Sequence, residues 1–323
     1  MRIVFCGTPE FAVPSLRALL SDSLFTVEAV VTQPDRPRGR GHSVSPSAVK
    51  EVALEAGAHV YQPETIKSDS AFDFFQRLAP DAVVIIAYGQ IIPQRLIEIP
   101  RLGWINLHAS LLPQYRGAAP IAWAIVNGET ATGLTTMQID AGMDTGPILM
   151  QREIEIGPDE TAPELSRRLS EAGAPLVADS LRKLDRGEIA PRAQDGSQAS
   201  YAPLLNKEHG RIDWSHTAQQ VYNRIRGLAP WPGAYTTFRG QLCHVWGRPA
   251  DAAAASAGPI SITVSAGDSI PGSLLAAGES IDVVCGEGTR LRLDALQMEA
   301  RKRITAREFV NGAHLAPGER FGA

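Results

Sequence analysis

The chain has 323 residues but only three cysteines, Cys6, Cys243 and Cys285, far apart and each in an apolar stretch. They offer no paired spacing for zinc or for a disulfide framework, so buried, reduced thiols are expected and no metal is called for. No apolar run reaches the ~20 residues that a membrane-spanning helix needs. Met1-Arg2 leads directly into an apolar segment ending at Gly7, without the cleavage pattern of a secretory signal, so a cytoplasmic location is expected. The glycine-rich dinucleotide fingerprint is also missing. The first turn reads Gly7-Thr8-Pro9-Glu10-Phe11, which disfavours a nicotinamide cofactor. A basic excess is lacking as well: the formal net charge of −4 argues against wholesale electrostatic capture of nucleic acid. The charge is uneven, however. From Lys207 onward 13 Lys/Arg face 11 Asp/Glu, a balance of +2, which leaves 18 against 24, or −6, for residues 1 to 206.

What is present suffices for a folded protein, with 44% hydrophobic and 20% charged residues. The length favours two domains. In the front half, apolar strands at Arg2 to Cys6, Thr26 to Thr32, Asp81 to Ala87, Gly103 to His108 and Gly133 to Asp140 alternate with helical segments. One helix runs from Ser47 to Ala56 and is closed by Gly57; another lies around Ile121 to Asn127. Thr8 is expected to cap the first helix, with Pro9 in its first turn. The alternation predicts an α/β fold built on a doubly wound, mostly parallel sheet. Residues 190 to 206, with Pro191, Asp195-Gly196 and Pro203 and no periodicity, read as a linker between a catalytic domain, 1 to 189, and a second domain, 207 to 323. That domain opens with a helix from about Ser215 to Leu228. Short strands follow at Ala234 to Phe238, Cys243 to Trp246, Ile260 to Val264, Ile281 to Cys285 and Arg290 to Leu293, the pattern of a small, OB-like β-barrel.

Candidate chemistry concentrates between Trp104 and Pro147. Asn106 and His108 stand two residues apart on a predicted strand, so their side chains leave the same face. Taken alone the pair could be two satisfied polar residues at a sheet edge. Directly after it comes Ser110-Leu111-Leu112-Pro113-Gln114-Tyr115-Arg116-Gly117-Ala118-Ala119-Pro120, a loop at the carboxyl end of a strand, where open α/β sheets bind ligands. Asp140-Ala141-Gly142-Met143-Asp144-Thr145-Gly146-Pro147 adds two carboxylates after another strand, and its glycines allow the backbone to aim Asp144 into the same cleft.

These elements carry a resemblance. V-F-C-G-T-P-E-F-A-V-P-S-L from Val4, Q-P-D-R-P-R-G-R-G from Gln33, A-Y-G-Q-I-I-P from Ala87, I-N-L-H-A-S-L-L-P-Q-Y-R-G-A-A-P-I from Ile105 and D-A-G-M-D-T-G-P-I from Asp140 resemble the folate-dependent formyltransferases. The arginine-rich front loop, together with R-I-D-W from Arg211 and P-W-P-G-A-Y from Pro230, narrows the likeness to the branch acting on methionyl-tRNA. The resemblance implies a catalytic trio of Asn106, His108 and Asp144. It also implies folate contacts from Ser110, Leu111, Leu112 and Pro113, with backbone groups of Ile86 to Ile92 facing the pterin, and acceptor-stem contacts from Arg36, Arg38 and Arg40. Here His42 and Ser43 stand where some relatives carry lysines.

The implied reaction moves the formyl group of 10-formyltetrahydrofolate to the α-amine of initiator methionyl-tRNA. The residue chemistry is suited to it: Asn106 and His108 are donors for a developing oxyanion, and a carboxylate at Asp144 favours a charged imidazole. An α-amine titrates at about 8 in a model peptide, so direct transfer without a covalent enzyme intermediate suffices. A monomer is expected. Alternatives remain open at this point. Small-ribonucleotide and sugar-nucleotide formyltransferases share the trio, hydrolysis of formylfolate would replace the amine by water, and a noncatalytic folate- or tRNA-binding protein would not need the three residues together. The arginine loop could be a solvated loop, and Arg301-Lys302-Arg303 either a phosphate contact or a soluble basic turn.

Overall fold

In a computed structural model, which describes residues 1–38, 43–250, 270–277, 280–316 and 318–322, the chain divides into two compact units. The first comprises Met1–Ile121, Ala131–Ile156 and Glu164–Pro203, and the second Ala122–Thr130, Gly157–Pro163 and Leu204–Ala323. Of residues 190–206, expected as a linker, 190–203 group with the first unit, where Arg192 bridges to Ile148 and Tyr201 to Arg116, and 204–206 with the second. Two short segments from the front half of the sequence group with the second unit.

The front of the chain runs β1 (Arg2–Gly7), α1 (Val13–Ser21), β2 (Thr26–Val31), β3 (Arg36–Arg38), β4 (Ser43–Ser45), α2 (Ala48–Glu55), β5 (Val60–Tyr61), α3 (Asp69–Leu78), β6 (Ala82–Ile86), α4 (Gln94–Ile97) and β7 (Trp104–His108). It continues with α5 (Pro120–Val126), β8 (Ala131–Gln138), β9 (Ile148–Glu155) and α6 (Ala162–Asp185). Seven strands form one sheet in the order β5-β2-β1-β6-β7-β8-β9. Pairing is parallel from β5 to β7 and antiparallel at β8 and β9. Every residue of β6 is buried, as a parallel strand covered on both faces requires.

Local signals account for the helices. The Ser47 side chain accepts from Lys50 N to start α2, and Gly57 at φ +69° follows its end. Ser68 caps α3, which buries Ala71, Phe74 and Phe75. Thr8 departs from expectation. No side chain caps the 3-10 turn Glu10–Ala12, and the Thr8 hydroxyl instead donates to the carbonyl of Tyr88 at 3.2 Å. It thereby joins the carboxyl ends of β1 and β6, where the sheet changes winding direction and a crevice must open. Helix α6 seats on β7 through Gly173, where an added Cβ would lie 2.5 Å from Leu107 Cδ2.

In the second unit α7 (Ala218–Gly227) precedes β10 (Tyr235–Phe238), β11 (Gln241–Pro249), β12 (Leu274–Ala277), β13 (Ser280–Val284), β14 (Arg290–Met298), β15 (Ile304–Thr305) and α8 (Ala306–Ala313). The strands make a curled antiparallel half-barrel, ordered β10-β11-β14-β13-β12 with β15 on β14. Alternate residues of β11, Cys243, Val245 and Gly247, point inward onto a core containing Val221, Ile225, Phe309 and Phe321. Both helices start with capping boxes, Thr217 with Gln220 and Thr305 with Glu308. The expected strand Ile260 to Val264 lies outside the described residues.

Candidate active site

Strand β7 presents the first two functional side chains. Its neighbour β8 pairs Asn106 with Met137 and His108 with Thr135, which fixes the register and with it the shared face. His108 is buried; Asn106 is half-buried, and among the described residues its side-chain amide makes no hydrogen bond. The amide is thus available to an incoming group.

The imidazole of His108 is held from both sides. Its Nε2 lies 2.9 Å from the carbonyl oxygen of Tyr115, an atom that only accepts, so this nitrogen carries a proton. Its Nδ1 lies 3.7 Å from Asp144 Oδ2. Asp144 takes a left-handed backbone at φ +54°, and the same carboxylate oxygen accepts the backbone N–H of Gly117 at 2.8 Å. The expected trio is therefore brought to one place, with Asp144 tied to the loop that follows His108.

That loop is itself braced. The Ser110 hydroxyl donates to Gln114 O at 2.6 Å, while Thr135 Oγ1 donates to Ser110 O at 2.7 Å and accepts from Leu112 N at 3.1 Å. Gln151 Nε2 donates to Leu112 O at 2.8 Å. Tyr115 N reaches Ser200 Oγ at 2.9 Å, and the Arg116 backbone pairs with Ser200 and Ala202. Of the four residues expected to meet folate, Ser110 is fully buried and Leu112 packs with Met137 and Ile148; Leu111 and Pro113 are half-buried and keep surface. In the turn after β6, Ala87 at φ +48° and Gly89 at φ +89° are exposed, as is Ile91, while Tyr88 between them is buried and its carbonyl accepts from Thr8 Oγ1 and Gln33 Nε2.

Thr135, Gln151, Ser200 and Gln194 escaped the sequence reading. For Thr135 a signal existed, a hydroxyl within the buried run of β8; for Gln194 and Ser200 there was none, because their segment has no periodicity.

The surroundings of the cysteines disfavour the thiolate that a nucleophile needs. All three are buried, and burial pushes their thiols up, Cys243 to about 11 and Cys285 to about 12. The arginine loop is a β3–β4 hairpin, with Arg36 paired to Ser45 and Arg38 to Ser43. Its stem is anchored where Asp35 receives Lys50 Nζ and, at 2.8 Å, Gln62 Nε2. Arg36 is exposed; Arg40 and His42 lie outside the described residues. In the second unit Arg301, Lys302 and Arg303 are exposed. Arg301 and Lys302 line an open cavity of about 500 Å³, and the Arg303 guanidinium sits 3.9 Å from the centre of the Trp246 ring.

The family described as "Formyl transferase" matches residues 1–181, and "Formyl transferase, C-terminal domain" matches residues 204–314. A methionyl-tRNA formyltransferase of Solibacter usitatus is 51% identical over 100% of this chain and 99% of its own, and that of Geobacter metallireducens 46% identical over the same shares. The fold is shared with WlaRD, a sugar 3N-formyl transferase solved with dTDP and 5-N-formyl-THF, at a TM-score of 0.64 and 17% identity over 94% of this chain and 99% of that one. The chain belongs to the methionyl-tRNA formyltransferase family.

Proposed function

We propose that this chain transfers the formyl group of 10-formyltetrahydrofolate, bound as a cosubstrate, directly to the α-amine of methionyl initiator tRNA. The observation that carries the chemistry is the convergence of Asn106, His108 and Asp144 at the end of β7, with the 3.7 Å approach of His108 Nδ1 to Asp144 Oδ2. The amine nitrogen attacks the formyl carbon, and the carbonyl oxygen gathers negative charge. Asn106 offers N–H groups to that oxygen, and His108 in its imidazolium form adds a charged donor; one such donor is worth ~10²–10³ in turnover. The C–N bond to folate then breaks. The proton lost by the amine passes, with Asp144 as relay, to the departing folate nitrogen.

Leu111 and Pro113 supply the apolar side of the folate slot, while buried Ser110 and Leu112 give their loop its shape. The backbone around Ala87 to Ile91 reads the pterin edge. The first unit performs the transfer. The arginine loop, with Arg36, Arg38 and Arg40, holds the acceptor end of the tRNA, and the second unit provides a further tRNA-binding surface at Arg301, Lys302 and Arg303. The enzyme works in the cytoplasm as a monomer.

The test presents the purified protein with formyl-labelled 10-formyltetrahydrofolate and methionyl initiator tRNA, beside methionyl elongator tRNA and a reaction without tRNA. Label on the methionyl amine, strongest with initiator tRNA, is the expected result. Free formate released equally without tRNA would make the protein a hydrolase instead.

A further inference from the structure

Residues 191–200 are exposed except Gln194 and Ala199, and the Gln194 side chain uses every hydrogen-bonding capacity it has. Its Oε1 accepts twice from Arg116, from Nε at 3.1 Å and Nη2 at 2.7 Å. Its Nε2 donates twice, to Asp144 O at 2.9 Å and Gly146 O at 2.7 Å. One amide thus ties the loop after β7 to the loop that carries Asp144. Arg116 is buried, and no carboxylate pairs with it among the described residues, so Gln194 is the only side chain orienting its charge there.

We infer that Gln194 is a positioning residue for formyl transfer, holding Asp144 at His108 through the two N–H groups of its side-chain amide. The Asp144 backbone sits in a left-handed conformation that an ordinary side chain rarely adopts, and its neighbour Gly146 is packed so closely that an added Cβ would lie 1.8 Å from Gln138 O. Such a loop needs outside ties to keep one geometry. The carboxylate is held at its Oδ2 by Gly117 N–H and the backbone at its carbonyl by Gln194, so losing the second tie lets Asp144 swing about the first. Misplacing a reacting group by about 1 Å costs ~100-fold in rate.

This inference rests on the proposed reaction and is tested with two variants of the full chain. Gln194→Met keeps the length and removes all four bonds. Gln194→Glu keeps an acceptor for Arg116, now charged, but turns an oxygen toward the two carbonyls. Both should lower kcat ~10-fold or more, with KM for the folate and for the tRNA within about threefold of wild type, as expected when ground-state binding is spared. Backbone hydrogen exchange should rise in residues 141–146 and at Gly117 while the β-sheet stays protected. Wild-type kcat in Gln194→Glu would overturn the donor role, since the Arg116 contact alone would then suffice. Changes confined to KM, or exchange rising throughout the fold, would overturn positioning in favour of binding or of general stability. If the wild-type protein itself transfers no formyl group, the proposed function fails, and the exchange pattern still decides whether Gln194 holds the Asp144 loop.

Discussion

Gly117 donates its backbone N–H to Asp144 Oδ2 at 2.8 Å, so the carboxylate facing His108 is held by the very loop that His108 introduces. Gly117 itself sits at φ +119°, and a Cβ there would lie 2.7 Å from Ala202 O. Only glycine fits without moving backbone. Gly117→Ala is expected to destabilise the protein by ~1–3 kcal/mol and to lower kcat at least ~10-fold. Thermal unfolding and steady-state kinetics check this; unchanged values for both would mean that the loop adapts freely.

Asn106→Ala, His108→Ala and Asp144→Asn should each reduce kcat by ~10²–10³, with little effect on the Michaelis constant for tRNA. The reason is that these groups act on charge present in the transition state more than in the bound substrates. Asp144→Asn keeps size while losing the charge beside Nδ1. Near-normal turnover in all three folded variants would remove the trio from the mechanism.

Changing Arg38 and Arg40 together to Ala should raise the Michaelis constant for tRNA and reduce the preference for initiator over elongator, leaving that for folate nearly unchanged. If the two arginines neutralise phosphates, their removal also flattens the salt dependence of binding, by ~0.7–0.9 in log–log slope for each phosphate left without its cation. Kinetics with both tRNAs across a salt series separate the roles. An equal loss for both tRNAs would keep binding and reject discrimination, whereas no change at all would make the arginine loop a solvated spacer.

Asp81 supplies a pH-dependent test of the fold. The backbone N–H of Arg2, at 2.8 Å, and then the Arg101 guanidinium hold its carboxyl below the usual range. A depressed folded-state value means that the stabilisation is complete above the unfolded value of about 3.9 and is lost as pH falls through the lower, folded one. Asp81→Asn should therefore melt ~2–4 °C below wild type at pH 7, and the gap should close as pH drops below about 3.9. A gap that stays constant into acid would show that the charge contributes nothing.

Much of the site was legible in the amino-acid order because its logic is local. The period-two spacing that puts Asn106 and His108 on one face follows from strand geometry alone, and β7 runs Trp104–His108 as the apolar pattern requires. The unbroken apolar run of β6 marked a strand buried on both faces, and the expected start of α2 at Ser47 is its cap; α7 was expected from about Ser215, and its cap is Thr217. Four of the second unit's short strands, β10, β11, β13 and β14, were visible for the same reason, through alternation and turn residues. Helix α6, 24 residues long with Pro175 inside, went unread because its proline breaks the usual signal; α8, eight residues long, also went unread.

What the sequence by itself determined is thus the strands β1, β2, β6, β7 and β8 of the first unit and β10, β11, β13 and β14 of the second, the face on which the donors stand and the loops that follow them, whereas β3, β4, β5, β9, β12 and β15 gave no sequence signal strong enough to read. Tertiary structure alone decided how those loops are held. The antiparallel return of β8 and β9 brings Thr135 and Gln151 under the Leu112 loop. The segment after α6 folds back so that Gln194 reaches Arg116 across 78 residues and Asp144 across 50. Such bonds leave no trace in local periodicity, because a polar side chain in an irregular segment reads as solvated until a packed surface presents buried carbonyls that need its N–H groups.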